Sequence, residues 1–579
     1  MKTVLLMFDS LRKDNLSFYN PNAPKTSSFD RIAEVSTVYQ NFYIGSMPCI
    51  PARRDLQTGR YNFMHRSWGP MEPFDNSFPE ILRKHKVYTH LVTDHKHYWR
   101  EGGATYHVKF NSYEFVRGQE GDAWKGIVNG PKVVTDFFEP ELLTKYKHKS
   151  RQQDLVNQKY ITSEDDFPLV RTIKKGIEFI EANNEADDWF LQIECFDPHE
   201  PFHVSDEFLN QLKESGPFHG WPPYGVDNLE QSMSQSIKNY YEALILMIDK
   251  YVGKLNETFD RFNMWEDTAL IVNTDHGFLL GEHEWWGKNM MPIYNEIANI
   301  PLLIHMPGQR EKNYSMALVQ NINLASTILE FYDVKKPIEM IAESIQNIEQ
   351  STDQKTVAFG YFGSCLNATD GRYVYMRTPD YDKRHLFNEY TLMPTHINSM
   401  FSVDELKEAQ LVKGFDFTKG VPVLKIPAKG LSGFSRFGDK LYDLSTDPKQ
   451  TRPIDDVKVE VTILAALYRI AKENDAPSEF YEIYGLTEQP TEASVMEDRS
   501  RKKKLYESSL NGIEFEHDSL REGYLALIDY FSDQADWTAL FNKQARITET
   551  LFWEIVNTYA LKTKLNEIEY TLKLQMRID

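Results

Sequence analysis

The chain has 579 residues, of which 41% are hydrophobic, 26% charged and 13% aromatic; this is a globular composition, and the length excludes a small stapled scaffold. A formal charge of −20 repels phosphate backbones and anionic lipid, so no nucleic acid and no membrane are expected as partners, while a small anionic ester stays open to a locally positive pocket. Three cysteines, Cys49, Cys195 and Cys365, are too few for a disulfide framework and point to a reduced, cytoplasmic setting.

In chain order, the run Val4–Phe8 is shorter than the ~7–15 residues of a secretory core and has no small-residue cleavage site after it, so it reads as a buried strand. No apolar stretch reaches the ~18–20 residues that span a bilayer. Further short runs at Thr89–Val92, Trp189–Glu194, Ala269–Val272 and Pro301–Ile304 have the look of strands buried on both faces. Between them, Pro168–Glu181 and Met233–Phe259 carry apolar residues three and four apart, as helices do. This alternation predicts an α/β fold with a large mixed, mostly parallel central sheet and helices on both faces, over residues 1–355. From about Val357 the texture turns to short alternating segments with an Asp370-Gly371 hairpin signal, which predicts a smaller antiparallel sheet subdomain at 356–485. The polar run containing Arg499–Lys504 reads as a linker into a helical C-terminal extension, 486–579, a candidate homo-oligomer interface.

In such sheets chemistry gathers beyond the carboxyl ends of the strands. Polar residues do follow those ends here: Asp9, Asp94-His95, Asp197-Pro198-His199 and Asp275-His276. Cys49, in Ser46-Met47-Pro48-Cys49-Ile50-Pro51-Ala52-Arg53, falls at the start of a helix that Gly59 ends, where backbone N–H groups favour negative charge. Cys49 can therefore be a buried structural thiol, a reactive thiolate or a modified nucleophile. Cys195 and Cys365 have no comparable context.

Cys49-x-Pro51-x-Arg53 followed by Leu56-x-Thr58-Gly59-Arg60 resembles the signature of the formylglycine-dependent sulfatases of the alkaline phosphatase superfamily. The resemblance implies that Cys49 is converted to formylglycine by a formylglycine-generating or sulfatase-maturating enzyme, and that the hydrated aldehyde is the nucleophile. It also implies one divalent metal ion, held by Asp9, the modified Cys49, Asp275 and His276. Asp9 is followed by Ser10 where the family often has a second acid, and Phe8–Asp14 is similar to a branch that includes phosphonate monoester hydrolases. Fewer carboxylates and a histidine make Mn2+ a candidate beside Ca2+ and Mg2+.

Arg53 is expected beside the nucleophile, where a guanidinium suits charge-assisted hydrogen bonds. Lys288, in Gly281-Glu282-His283-Glu284-Trp285-Trp286-Gly287-Lys288, resembles the family's anion-binding lysine. His199 resembles its leaving-group histidine, and His95 and His97 stand where many sulfatases carry Lys-x-His. His203 is expected in the core. Trp68, Trp99, Trp285 and Trp286 are candidates for an apolar or sugar-binding subsite. Similarity continues through Asn321–Thr327 and Lys440–Pro448. The leading expectation is hydrolysis of sulfate monoesters; phosphonate monoester or phosphodiester hydrolysis at the same site, a phosphotransferase with an unconverted thiol and a non-catalytic binding protein are the alternatives.

Overall fold

A computed structural model of the chain describes residues 1–131, 145–212, 231–289, 291–351, 355–428 and 437–508, with short stretches between 221 and 229 and at 514–515 and 546–548. Its centre is an eight-stranded sheet in the order 313–320, 37–43, 302–305, 268–274, 2–8, 189–195, 88–93 and 112–115. All neighbouring pairs are parallel except those made by Leu302–His305, which runs against both of its neighbours. That run is four residues long and wholly buried, so its composition marks a strand but cannot mark its direction.

The central strand Lys2–Phe8 is buried along its whole length. Val4, Leu6 and Phe8 point into one core with the helices Pro168–Asn183 and Gln231–Arg261. Leu5 and Met7, on the other face, meet Ile50 and Leu56 of the helix Cys49–Thr58, Phe78 and Leu82 of Phe78–Lys84, and the helix Ile322–Phe331. The two-residue period of a strand thus separates two cores from one continuous apolar run.

A second sheet takes the order 440–443, 373–377, 366–369, 357–361, 46–47. Its first four strands are antiparallel, and the turn between Leu366–Thr369 and Tyr373–Arg377 is the Asp370-Gly371 segment. The fifth strand, Ser46–Met47, pairs parallel with Gly360 and Tyr361 and leads into Cys49. The smaller sheet therefore holds the loop that presents the nucleophile candidate.

Helices Val457–Glu473 and Ser478–Tyr484 close a third core over this sheet, with Ile463, Leu467, Phe480 and Ile483 against Ala358, Ala368 and Tyr375. The charged run expected as a linker lies inside a helix, Glu492–Ser508. Its cations are used for docking: Arg499 pairs with Asp455 and Glu460, Arg501 with Asp380, and Lys502 with Asp439. A polar composition suited a linker, but an ion-paired helix face has the same composition. Most of the expected C-terminal extension lies outside the described residues. No helix among the described residues is long and apolar enough to cross a membrane.

Candidate active site

Adjacent parallel strands set the first two ligand candidates side by side. Phe8 is in register with Thr274, so Asp9 and Asp275 leave the sheet together, and the Asp275 N–H donates to the Phe8 carbonyl at 3.3 Å. His276 follows, and its Nδ1 donates to the Gly277 carbonyl at 2.9 Å, which leaves the Nε2 lone pair free. Gly277 has no room for a side chain: a Cβ would stand 1.9 Å from the Glu296 carbonyl oxygen.

Cys49 opens the helix Cys49–Thr58, whose end is turned by Gly59 at φ 63°. Its Sγ lies 3.4 Å from His276 Nε2 and 3.8 Å from Asp9 Oδ1. Ligand atoms of Asp9, Cys49, Asp275 and His276 all fall within 4.8 Å of one another, and all four residues are buried. Residues far apart in the chain thus meet as a group able to hold a divalent cation. The donor set fits one: two carboxylates and an imidazole surround the gap, and Asp9 Oδ2 is buried with no hydrogen-bond partner.

Arg53, one helical turn beyond Cys49, is fully buried. Its Nη1 donates to the Cys49 carbonyl at 2.8 Å and to Asp275 Oδ2 at 2.6 Å, its Nε to Glu194 Oε1 at 2.6 Å, and its Nη2 lies 3.2 Å from Asp9 Oδ2. Lys288 Nζ donates to Ser10 Oγ at 3.0 Å and reaches Cys49 Sγ at 3.7 Å and Asp9 Oδ1 at 3.6 Å. Ser10 holds a positive φ of 65°, a conformation unusual for a residue with a side chain. From it the hydroxyl donates to Asp9 Oδ1 at 2.8 Å while the backbone N–H donates to Asp275 Oδ1 at 3.1 Å.

Burial governs the charges. It would raise the Asp9 carboxyl, but Lys288, His199, His95 and Arg53 outweigh it and hold that group well below the usual range. Asp275 is pushed up to about 8 by burial and by Asp9, as expected for the second of two carboxylates facing one gap. Burial, with Asp9 adding, drives the Cys49 thiol well above its ordinary value, so the unmodified side chain is a poor nucleophile. Burial and Lys288 lower His276 to about 3, which keeps its ring neutral.

The remaining sequence candidates form a second layer. His95 is buried with Nε2 3.5 Å from Asp9 Oδ2. His97 stands behind it, ring centroids 5.2 Å apart, and packs edge-on against Trp68. His199 packs on Phe196 at 4.2 Å, and Nδ1 donates to the Glu200 carbonyl at 2.6 Å. His203 packs against Phe167, where burial lowers it to about 4. Of the four tryptophans, Trp286 is fully buried in the core and lines no subsite. Trp99 is 49% exposed and stacks on Phe115 and His107. Trp285 is half-buried beside Phe437.

Two functions were not anticipated from the sequence. Glu194 anchors Arg53 and accepts from Tyr98 and Gln192 at 3.0 and 2.8 Å. Asp94 and Asp197, noted only as strand-end residues, share the Gln119 amide at 3.2 and 2.9 Å. The available signal was the Gln192-x-Glu194 spacing, which puts two polar groups on one face of a strand otherwise made of buried apolar residues.

A mostly parallel sheet with a buried lysine and a cation-ready cluster beyond its carboxyl end is an arrangement suited to a hydrolase of anionic esters. Residues 2–334 match the sulfatase family model and residues 281–393 the C-terminal model of N-sulphoglucosamine sulphohydrolase. The chain belongs to the sulfatase family, the sulfuric ester hydrolases. It is 21% identical over 483 residues to an N-acetylglucosamine-6-O-sulfatase of Bacteroides thetaiotaomicron, covering 70% of this chain and 84% of that protein. A choline-sulfatase of Rhizobium meliloti is 25% identical over 318 residues, 48% of this chain and 57% of that one. Among solved structures, one in complex with its substrate D-glucosamine-2-N,6-O-disulfate superposes with a TM-score of 0.57 at 14% identity, covering 83% of this chain and 99% of the other. The phosphonate monoester hydrolase of Agrobacterium radiobacter gives 0.56 at 13% identity, covering 82% and 96%. At these identities the two structures establish the fold.

Proposed function

We propose that this chain hydrolyses sulfate monoesters with a formylglycine nucleophile made from Cys49, beside a divalent cation held by Asp9, position 49, Asp275 and His276. One observation carries the reading: four side chains from three separate parts of the sequence converge within 4.8 Å of one another. A divalent cation in that gap would polarise the ester oxygens and acidify the nucleophilic hydroxyl.

The chain's own residues supply the rest. Lys288 neutralises charge on the transferring group and stabilises its growth in the transition state. Arg53 fixes the Cys49 carbonyl and the two carboxylates together, so the nucleophile and its surroundings are set before substrate arrives. His199 donates a proton from Nε2 to the departing oxygen, since its Nδ1 is already committed to the Glu200 carbonyl. His95 supports the Asp9 carboxylate, and His97 acts behind it. Phosphonate monoester or phosphodiester hydrolysis is the second reading, favoured by Ser10 in the place of a second acid and by the likeness in fold to a phosphonate monoester hydrolase.

In this reading a formylglycine-generating enzyme is the obligatory maturation partner, residues 1–355 form the catalytic domain, 356–485 the smaller subdomain and 486–579 a helical extension, and the protein works in the cytoplasm. The test is to produce the chain with and without a formylglycine-generating enzyme. Intact-peptide mass at position 49 and turnover of an aryl sulfate, a phenylphosphonate monoester and a bis-aryl phosphate are then measured. Conversion at Cys49 with activity highest on the sulfate is expected, and full activity of Cys49→Ala would overturn the reading.

A further inference from the structure

Glu200 follows the leaving-group histidine directly, and its side chain turns back on it. His199 Nδ1 lies 2.6 Å from the Glu200 carbonyl oxygen and 3.3 Å from Glu200 Oε2. Oε1 of the same carboxyl accepts from the Tyr224 hydroxyl at 2.6 Å. Oε2 is buried without a hydrogen-bond partner in a residue only 6% exposed. Tyr224 is held in turn by close approach to backbone: a Cβ at Gly287 would stand 2.8 Å from its ring. Gly287 immediately precedes Lys288, so a continuous path of contacts runs from the anion-binding lysine through Tyr224 and Glu200 to His199.

We propose that Glu200 is a positioning residue for His199, its carboxylate flanking Nδ1 so that Nε2 is aimed at the leaving-group oxygen and the protonated ring is stabilised. This inference rests on the reading of His199 given above and deepens it. As the hydroxyl of the hydrated aldehyde at position 49, already ionised, bonds to sulfur, the bond from sulfur to the ester oxygen breaks and its electron pair stays on that oxygen. The Nε2 proton passes to the oxygen, giving the free alcohol or phenol and a neutral imidazole that keeps its Nδ1–H on the Glu200 carbonyl. Burial and Lys288 hold the resting His199 ring well below the ordinary histidine range, and burial pushes Glu200 up to about 7; a carboxylate beside Nδ1 opposes that lowering and favours the charged ring before the transfer. An amide does not, although it retains an oxygen for Tyr224.

The test is kcat/KM for the matured wild type, Glu200→Gln, Glu200→Asp and His199→Ala over aryl sulfates whose phenols span a range of acidity, ending with an alkyl sulfate. A positioned acid contributes about 10²–10⁴-fold, and its loss is felt most by the poorest leaving groups. His199→Ala should steepen the dependence on leaving group. Glu200→Gln should reproduce that steepening in part, losing about 10–100-fold on the alkyl sulfate and about threefold or less on para-nitrophenyl sulfate, a fraction of the full acid contribution. Glu200→Asp should lie between Glu200→Gln and wild type. If His199→Ala steepens the series while Glu200→Gln lowers all substrates equally or none, this inference fails and the role of His199 stands. If His199→Ala itself lowers all substrates equally, the His199 reading fails and the role of Glu200 falls with it.

Discussion

Removing the Arg53 guanidinium should unfold more of the protein than it slows, and the loss should be traceable to Glu194. Arg53→Met strips one cation from three buried carboxylates. Asp9 keeps Lys288 at 3.6 Å, and Asp275, pushed up to about 8, can take a proton. Among the described residues Glu194 keeps the neutral donors Tyr98 and Gln192. Breaking a buried pair from one side costs about 3–5 kcal/mol because a charge is left without compensation. Glu194→Gln removes that charge but leaves an oxygen for Tyr98 and Gln192. The double variant should therefore be more stable than the sum of the two single losses predicts, by about 0.5–3 kcal/mol, the range seen for residues in direct contact. Urea denaturation of all four proteins in chelator measures this. Strict additivity would refute the assignment of Glu194 as the partner that makes Arg53 indispensable.

Lys288→Met should lower kcat/KM about 10²–10³-fold, the cost of losing one electrostatic donor to the transition state, with circular dichroism unchanged; a rise in KM alone would remove Lys288 from that role. Mn2+ or Ca2+ at about 100 times its Kd should stabilise the chelator-treated protein by about 2.7 kcal/mol, read as an upward shift in melting temperature that Asp9→Asn abolishes. An equal shift in Asp9→Asn would dismiss Asp9 as a ligand. Asp439 is buried between Arg377 at 2.6 Å and Lys502 at 3.3 Å and accepts from the Thr378 N–H at 2.8 Å. Burial would raise its carboxyl, yet Arg377 and Lys502 hold it below the ordinary range. Its folded pKa lies under the unfolded value of about 3.9, so its contribution is complete above that pH and is lost as acid carries the pH below it. Asp439→Asn should flatten the fall in stability below about pH 4, and an unchanged acid limb in urea denaturation would count against the network.

The fold class was legible because each central strand carries its own evidence. Lys2–Phe8, Trp189–Cys195 and Thr268–Thr274 are buried on both faces, and residues so buried must be almost uniformly apolar. The meeting of Asp9 with Asp275 and His276 was legible because strand ends are a fixed address: whatever follows Phe8 and Thr274 must arrive at one edge of the sheet, given that the two strands are parallel neighbours. Strand order carries no such local mark. That Trp189–Cys195 lies beside Lys2–Phe8, and so brings Glu194 under Arg53, follows only from the assembled sheet. A glutamate one residue from the end of an apolar run reads equally well as a strand boundary.

Composition alone leaves other features of the chain ambiguous. For Trp286 and the Arg499–Lys504 run, composition does not fix exposure: an aromatic residue serves a core or a subsite, and a run of charges serves a solvent-facing linker or a docked helix. The direction of Leu302–His305 is likewise unmarked, and its antiparallel pairs make the sheet mixed, as expected. What distinguishes the site from these cases is partner chemistry. A buried carboxylate needs a cation, a proton or a hydrogen-bond donor: Asp9 and Glu194 have Arg53, with Lys288 beside Asp9, while Asp275, also on Arg53, is pushed up to about 8 and is the acid that a cation in the gap would hold ionised.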